Sequence, residues 1–167
     1  MTRAASSFIK SRGTATRVDA SKQELERMLR RYGAQSFHVS HDFATRQASV
    51  TFVLPDDPKH PAAMIPVRLD IETTRVAKAM FARESWRGFT PTQLEQAERV
   101  AWRNLLLWVD AAMSAASIGL QTMTEAFFAH TVVGAAGERM LDVVGAYQGT
   151  LGAGVQRLLT SNAELAD

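Results

Sequence analysis

The chain contains no cysteine in its 167 residues. This excludes disulfides, thiolate metal sites and a cysteine nucleophile, and it leaves the redox compartment open. No apolar run reaches the about 18 residues that a membrane span requires, so no membrane partner is expected. The opening MTRAASSFIKSRGTATR lacks a continuous apolar core, so a secretory signal is not expected and the cytoplasm is the default. Gly149, Gly152 and Gly154 come with neither a preceding strand nor a following Lys-Ser/Thr, so they are no phosphate-binding loop. No Ser-His-acid set or paired carboxylates stand out, and no internal repeat is present. These absences point away from an enzyme, and no cofactor or metal is expected.

The composition, 46% hydrophobic and 22% charged, is that of a globular protein, and the length fits one domain with a real core. The net charge of +2 is unevenly placed: residues 1–31 hold eight Lys or Arg against three acids, a balance of +5, which leaves −3 for the rest. Such an asymmetry directs the basic end at a polyanion, the plainer alternative being a solvated basic leader. We divide the chain into a flexible basic leader (1–18), a single α+β domain (19–148) and a tail or short docking helix (149–167).

Within the domain, SKQELERMLRRYGA (21–34) reads as an amphipathic helix. Ser21 and Glu24 form a capping box and Gly33 supplies the left-handed stop. Leu25, Met28, Leu29 and Tyr32 make one apolar stripe, with Lys22, Arg27, Arg30 and Arg31 mostly outside it. The period then changes to two. Phe37, Val39, His41 and Phe43 alternate with polar residues, as do Ala48, Val50, Phe52 and Leu54, and a turn at 44–46 joins them as a hairpin. After the loop PDDPKHPAA a third strand carries Ile65, Val67, Leu69 and Ile71, with Pro66 limiting it to an edge or an irregular start.

Residues 74–83 fit a helix with Val76, Ala79, Met80 and Phe81 on one side, and Trp86 to Gly88 a connector. Thr90, Pro91 and Gln93 then give a strong helix start, with the stop at Gly119. The centre of this helix is apolar almost all round, which makes it a buried spine or a subunit interface, with Leu106 and Leu107 as candidate interface residues. A second capping box, Thr122–Glu125, opens a helix with Phe127, Phe128, Val132 and Val133, and another places Met140, Val143, Val144 and Tyr147 together. The expected fold is α+β. A three-stranded antiparallel β-meander packs with an N-terminal helix and is followed by a C-terminal group of helices with one long central helix.

The pieces ERMLRRYGA, FVLPDDP, AWRNLLLWV and TEAFFAHTVV occur in this order between Glu26 and Tyr147. They resemble a family of small proteins of tailed phages and prophages, in which a Tyr-Gly turn, a Leu-Pro after a strand, a Trp-Arg helix and an E-x-F-x-A-H helix recur. The chain departs from it at WVDAAMSAASIGL, where the family helix tends to carry lysines and a glutamate. The resemblance implies a phage genome context, hence a host-cell cytoplasm, with no established activity and no catalytic residues.

Several residues invite a chemical reading. His38 and His41 lie on opposite faces of a strand, the wrong geometry for a shared metal. Asp56, Asp57 and His60 share a loop that fits a hard cation, although Asp and Pro are also ordinary loop formers. His130 on an apolar helix is a candidate base or a core histidine. Glu95, Arg99 and Arg103 make either a cationic stripe or a helix-stabilising ion pair beside a solvated arginine. Trp102 and Trp108 read as packing residues.

The first expectation for function is a non-enzymatic accessory protein that binds single-stranded DNA without reading sequence, in a phage replication or recombination setting. Lys22, Arg27, Arg30, Arg31, Arg46 and Arg68 would neutralise phosphates. The alternative is a phage assembly protein that makes a homo-oligomer through its apolar helices without binding nucleic acid.

Overall fold

The computed structural model describes residues 9–57, 60–81, 88–134 and 136–145. The connector at Trp86, Tyr147 and the whole 149–167 tail lie outside the described residues, as do residues 1–8 of the leader. The described chain is an α+β fold, with helix α1 (Val18–Arg31), strands β1 (Ser36–Asp42), β2 (Gln47–Asp57) and β3 (His60–Glu72), then α2 (Thr73–Phe81), α3 (Pro91–Ser117) and α4 (Met123–Phe127). The antiparallel sheet has the order β1-β2-β3.

Strand alternation divides the sheet into two unlike faces. Ala48, Val50, Phe52 and Leu54 of β2 and Ile65, Val67, Leu69 and Ile71 of β3 are buried in one core with Leu25, Leu29, Trp102, Leu106, Val109, Met113 and Phe127 of the helices. The opposite face is polar, its cross-strand rows reading His38–Thr51–Arg68 and Ser40–Ser49–Asp70. A smaller core joins Ala77 and Met80 of α2 to Ala97 and Val100 of α3, with Ile9 of the leader against it. Residues 10–14 run beside α3: Asn104 donates to the Lys10 carbonyl, and Gln96 donates to those of Arg12 and Thr14.

The start of α1 differs from the expected capping box. Arg17, extended at φ −66° and ψ 148°, is the N-cap without a side-chain cap bond, and its carbonyl accepts from Ser21 N–H at 3.2 Å. Ser21 therefore lies inside the helix, on the stripe shared with Leu25 and Met28, and its buried hydroxyl has no partner among the described residues. The stop is as expected. Gly33 at φ +85° donates to the Arg30 carbonyl and Ala34 to the Leu29 carbonyl, the two bonds of a Schellman closure. A Cβ on Gly33 would also meet Pro55 at 3.4 Å.

The segment expected as the loop PDDPKHPAA is mostly strand. β2 continues through Asp57 and β3 begins at His60, with the register slipping between Pro55 and Asp57. Asp56 accepts from the backbone and hydroxyl of Thr124, pinning this end of the hairpin to α4. Phe43, expected on the apolar face, sits in the β1–β2 turn and is 89% exposed. In α2 the inward residue is Ala77, not Ala79.

α3 carries the full Thr90–Gln93 capping box, with Pro91 as its first residue, and closes at Gly119, φ +78°. Leu106 is buried, so of the two candidate interface leucines only Leu107, at 37% exposure, reaches the surface. The Thr122–Glu125 box is also complete, but its helix is short and passes through a 3-10 turn (Phe128–His130) into extended chain. Val132 and Val133 are not helical. Val132 N–H donates to the Pro66 carbonyl, and Thr131 and Val132 bridge to Val67 and Arg139. β-branched Thr131, Val132 and Val133 favour this extended form, and the free edge of β3 supplies its partner. Because the Pro66 carbonyl points away from β2, its missing N–H also lies on that edge.

Candidate nucleic-acid interface

The residues of α1 outside its apolar stripe make its solvent face. At 100° per residue, Arg27, Arg30 and Arg31 fall within about 100° of arc, and Lys22 stands at the margin about 7.5 Å before Arg27 along the helix. Their partners differ. Arg30 pairs with Glu26 at 2.6 Å, and the Arg27 Nε donates to the Gln23 carbonyl. Glu24, expected in the capping box, is instead taken by Arg103 of α3 at 2.7 Å. With Glu24 and Glu26 so occupied, exposed Arg27 and Arg31 meet no carboxylate among the described residues.

Gly33 turns the chain so that β1 returns along α1 and brings the hairpin tip to Lys22. The Lys22 ammonium donates to His41 Nε2 at 2.9 Å and lies 4.9 Å from the centre of the Trp102 ring. The His41 ring stacks on Phe43, centroids 6.0 Å apart and planes 14° apart. Arg46 closes the same turn at φ +55°. The turn is held by Asp42 Oδ1, which accepts from the N–H groups of Ala44 and Thr45. Bonds from Thr45 and Ala44, that of the Thr45 side chain first, lower the Asp42 pKa.

Arg68 lies elsewhere, on the open face of the sheet. Its Nε donates to Asp70 at 3.0 Å, and Asp70 also pairs with Arg139 at 2.9 Å. The shallow hollow there, about 170 Å³, is lined by three acids, Asp42, Asp70 and Glu72, against the single Arg68. Of the six arginines and lysines expected to contact phosphate, the fold thus gathers Lys22, Arg27, Arg30 and Arg31 on one helix. It sets Arg46 at the hairpin tip beyond Lys22 and places Arg68 among acids.

The other candidates take structural partners. Arg99 pairs with Glu95 at 3.5 Å and Arg103 with Glu24, so the long helix carries ion pairs where a cationic stripe was weighed. Asp56 serves Thr124, and the side chain of His60 lies outside the described residues. No group of three or more His, Asp or Glu among the described residues is arranged to hold a metal. His38 is exposed on the outer sheet face. The His130 ring meets Trp108 at 5.5 Å, and its Nδ1 is buried without a partner among the described residues. Burial first, then the charge of Arg139, lowers the His130 pKa, so the neutral ring is favoured.

Sequence reasoning missed Phe43 and His41 as parts of this surface. The available signal was Asp42-Phe-Ala-Thr-Arg: an Asp that accepts from amides two and three residues on marks a turn, which takes Phe43 out of the strand pattern. No helix among the described residues is long and apolar enough to cross a membrane. Comparison with known proteins adds no relative: no family model, curated protein or solved structure matches the chain.

Proposed function

We propose that this chain is a non-enzymatic accessory protein that binds single-stranded DNA without reading its sequence, in a phage replication or recombination setting. The setting rests on the resemblance of its sequence pieces to phage proteins. The observation that carries the binding reading is the pair Arg27 and Arg31, exposed on α1 with their neighbouring acids already engaged. Guanidinium groups without a carboxylate are available to phosphate oxygens. Arg68, held by Asp70 in an acidic hollow, is left out of the interface. Replacing Arg27 and Arg31 together with Ala is expected to weaken binding to an oligo-dT strand and to lower the slope of log affinity against log salt by about 1.4. Arg68→Ala is expected to leave both unchanged. A double variant that binds like the parent at every salt concentration refutes the reading.

A second reading, self-assembly, is favoured by a groove of about 530 Å³ between the end of β3, α2 and α3, whose apolar lining includes Ile71, Val76, Leu105 and Trp108. Trp108 is 40% exposed and Leu107 is its neighbour on α3. Self-association through this groove predicts a mass in light scattering above the 18.3 kDa of one chain, returning to it in Ala79→Glu, which sets a charge on the groove wall at an exposed position. A monomeric parent excludes it.

A further inference from the structure

We propose that Phe43 is a stacking platform for an unpaired base of the bound strand, with Lys22 and Arg46 placed for the phosphates on either side; this rests on the polyanion reading above. A phenylalanine 89% exposed adds nothing to the core. It is nevertheless held: the turn beneath it is fixed by both amide bonds to Asp42, and the His41 ring supports it from the strand side at a nearly parallel 14°. The surroundings select the occupant. An apolar partner helix needs a contiguous apolar patch, whereas this ring stacks on the histidine that Lys22 bonds and shares a hollow with Arg46. A flat, aromatic ligand carrying negative charge fits that combination, and a nucleotide in a single strand is both. Every base has a π-face, so the contact is tolerant of sequence. The acids on the rim are Asp42, Glu95 and Glu98. Asp42 accepts from the turn and Glu95 pairs with Arg99, which leaves Glu98 on the α3 side of the hollow, so the proposed strand runs away from it, from the tip past Lys22 onto α1.

The test separates bases from phosphates. Binding is measured to an oligo-dT and to an abasic oligomer of equal length and charge. The parent is expected to prefer the base-bearing strand by about 5- to 150-fold, the range that one stacked base supplies. Phe43→Ala should abolish the preference while leaving affinity for the abasic strand unchanged, and Phe43→Trp should keep it; thermal melting of both variants checks the fold. A parent with equal affinity for the two strands, or a Phe43→Ala variant that retains the preference, overturns the stacking role and leaves phosphate binding by α1 standing. No binding of the parent to either strand overturns both.

Discussion

The solvent face of α1 and the open face of the sheet are both polar and both carry arginine, yet they present opposite surfaces. On the sheet, Asp70 accepts from Arg68 and Arg139 together, and Arg139 also holds Asp142 through a two-toothed contact at 2.8 and 2.9 Å. Both arginines there are answered within the face itself, and Asp42 and Glu72 add further negative charge. On α1 the acids are answered unevenly: Glu24 is drawn off by Arg103 on a neighbouring helix, which leaves Arg27 and Arg31 in excess. α1 carries more basic residues than the sheet face, and the pairing widens the difference by leaving Arg27 and Arg31 without a carboxylate among the described residues.

Asp70→Asn is the most direct way to break that contrast. It removes the acceptor shared by two arginines whose side chains are partly buried, and we expect a loss of about 1–2 kcal/mol in chemical denaturation, the scale of a charged hydrogen bond reduced for partial exposure. It should also free Arg68 from its carboxylate, on a face where Asp42 and Glu72 remain. Affinity for an oligo-dT strand is then expected to rise, and Arg68→Ala on the Asp70→Asn background should cancel the rise. If the variant folds and gains no affinity, something other than pairing keeps nucleic acid off the sheet.

The two ends of α3 were legible because their chemistry is local: Thr90, Pro91 and Gln93 act within one turn, and Gly119 closes the helix on its own residues. The start of α1 misled for a physical reason. Ser21 has the identity of a cap, but it also falls at i−4 from Leu25 and i−7 from Met28, on the buried stripe, and the stripe prevailed over the cap. Thr131, Val132 and Val133 were drawn into extended chain by the edge of β3, a partner far away in sequence. The same distance limited the reading of the site. Lysines and arginines can be found in a sequence, whereas the ion pair Arg103–Glu24, 79 residues apart, exists only once α1 lies on α3. That contact and the link between Arg139 and Asp70 decide which cations are free.

Acid sharpens the contrast with a smaller effect. Asp142, about half exposed, is held down to about 2 from 3.8, first by the hydrogen bond from the Arg139 side chain and then by that from its backbone N–H. The unfolded chain takes up this proton near 3.8, while the folded chain resists until about 2. The stabilisation is therefore complete above the unfolded value and is lost as the pH falls through the folded one. His130 acts in the same direction at higher pH. Its folded pKa lies below 6.5, so acidification below that value protonates the unfolded chain first and stability begins to fall. In thermal melts, Asp142→Asn should lie below the parent at neutral pH, and the gap should close as the pH approaches 2. A gap that persists there would mean that the residue stabilises the edge of β3 without its charge, and the sheet side of the comparison would then rest on Asp70 alone.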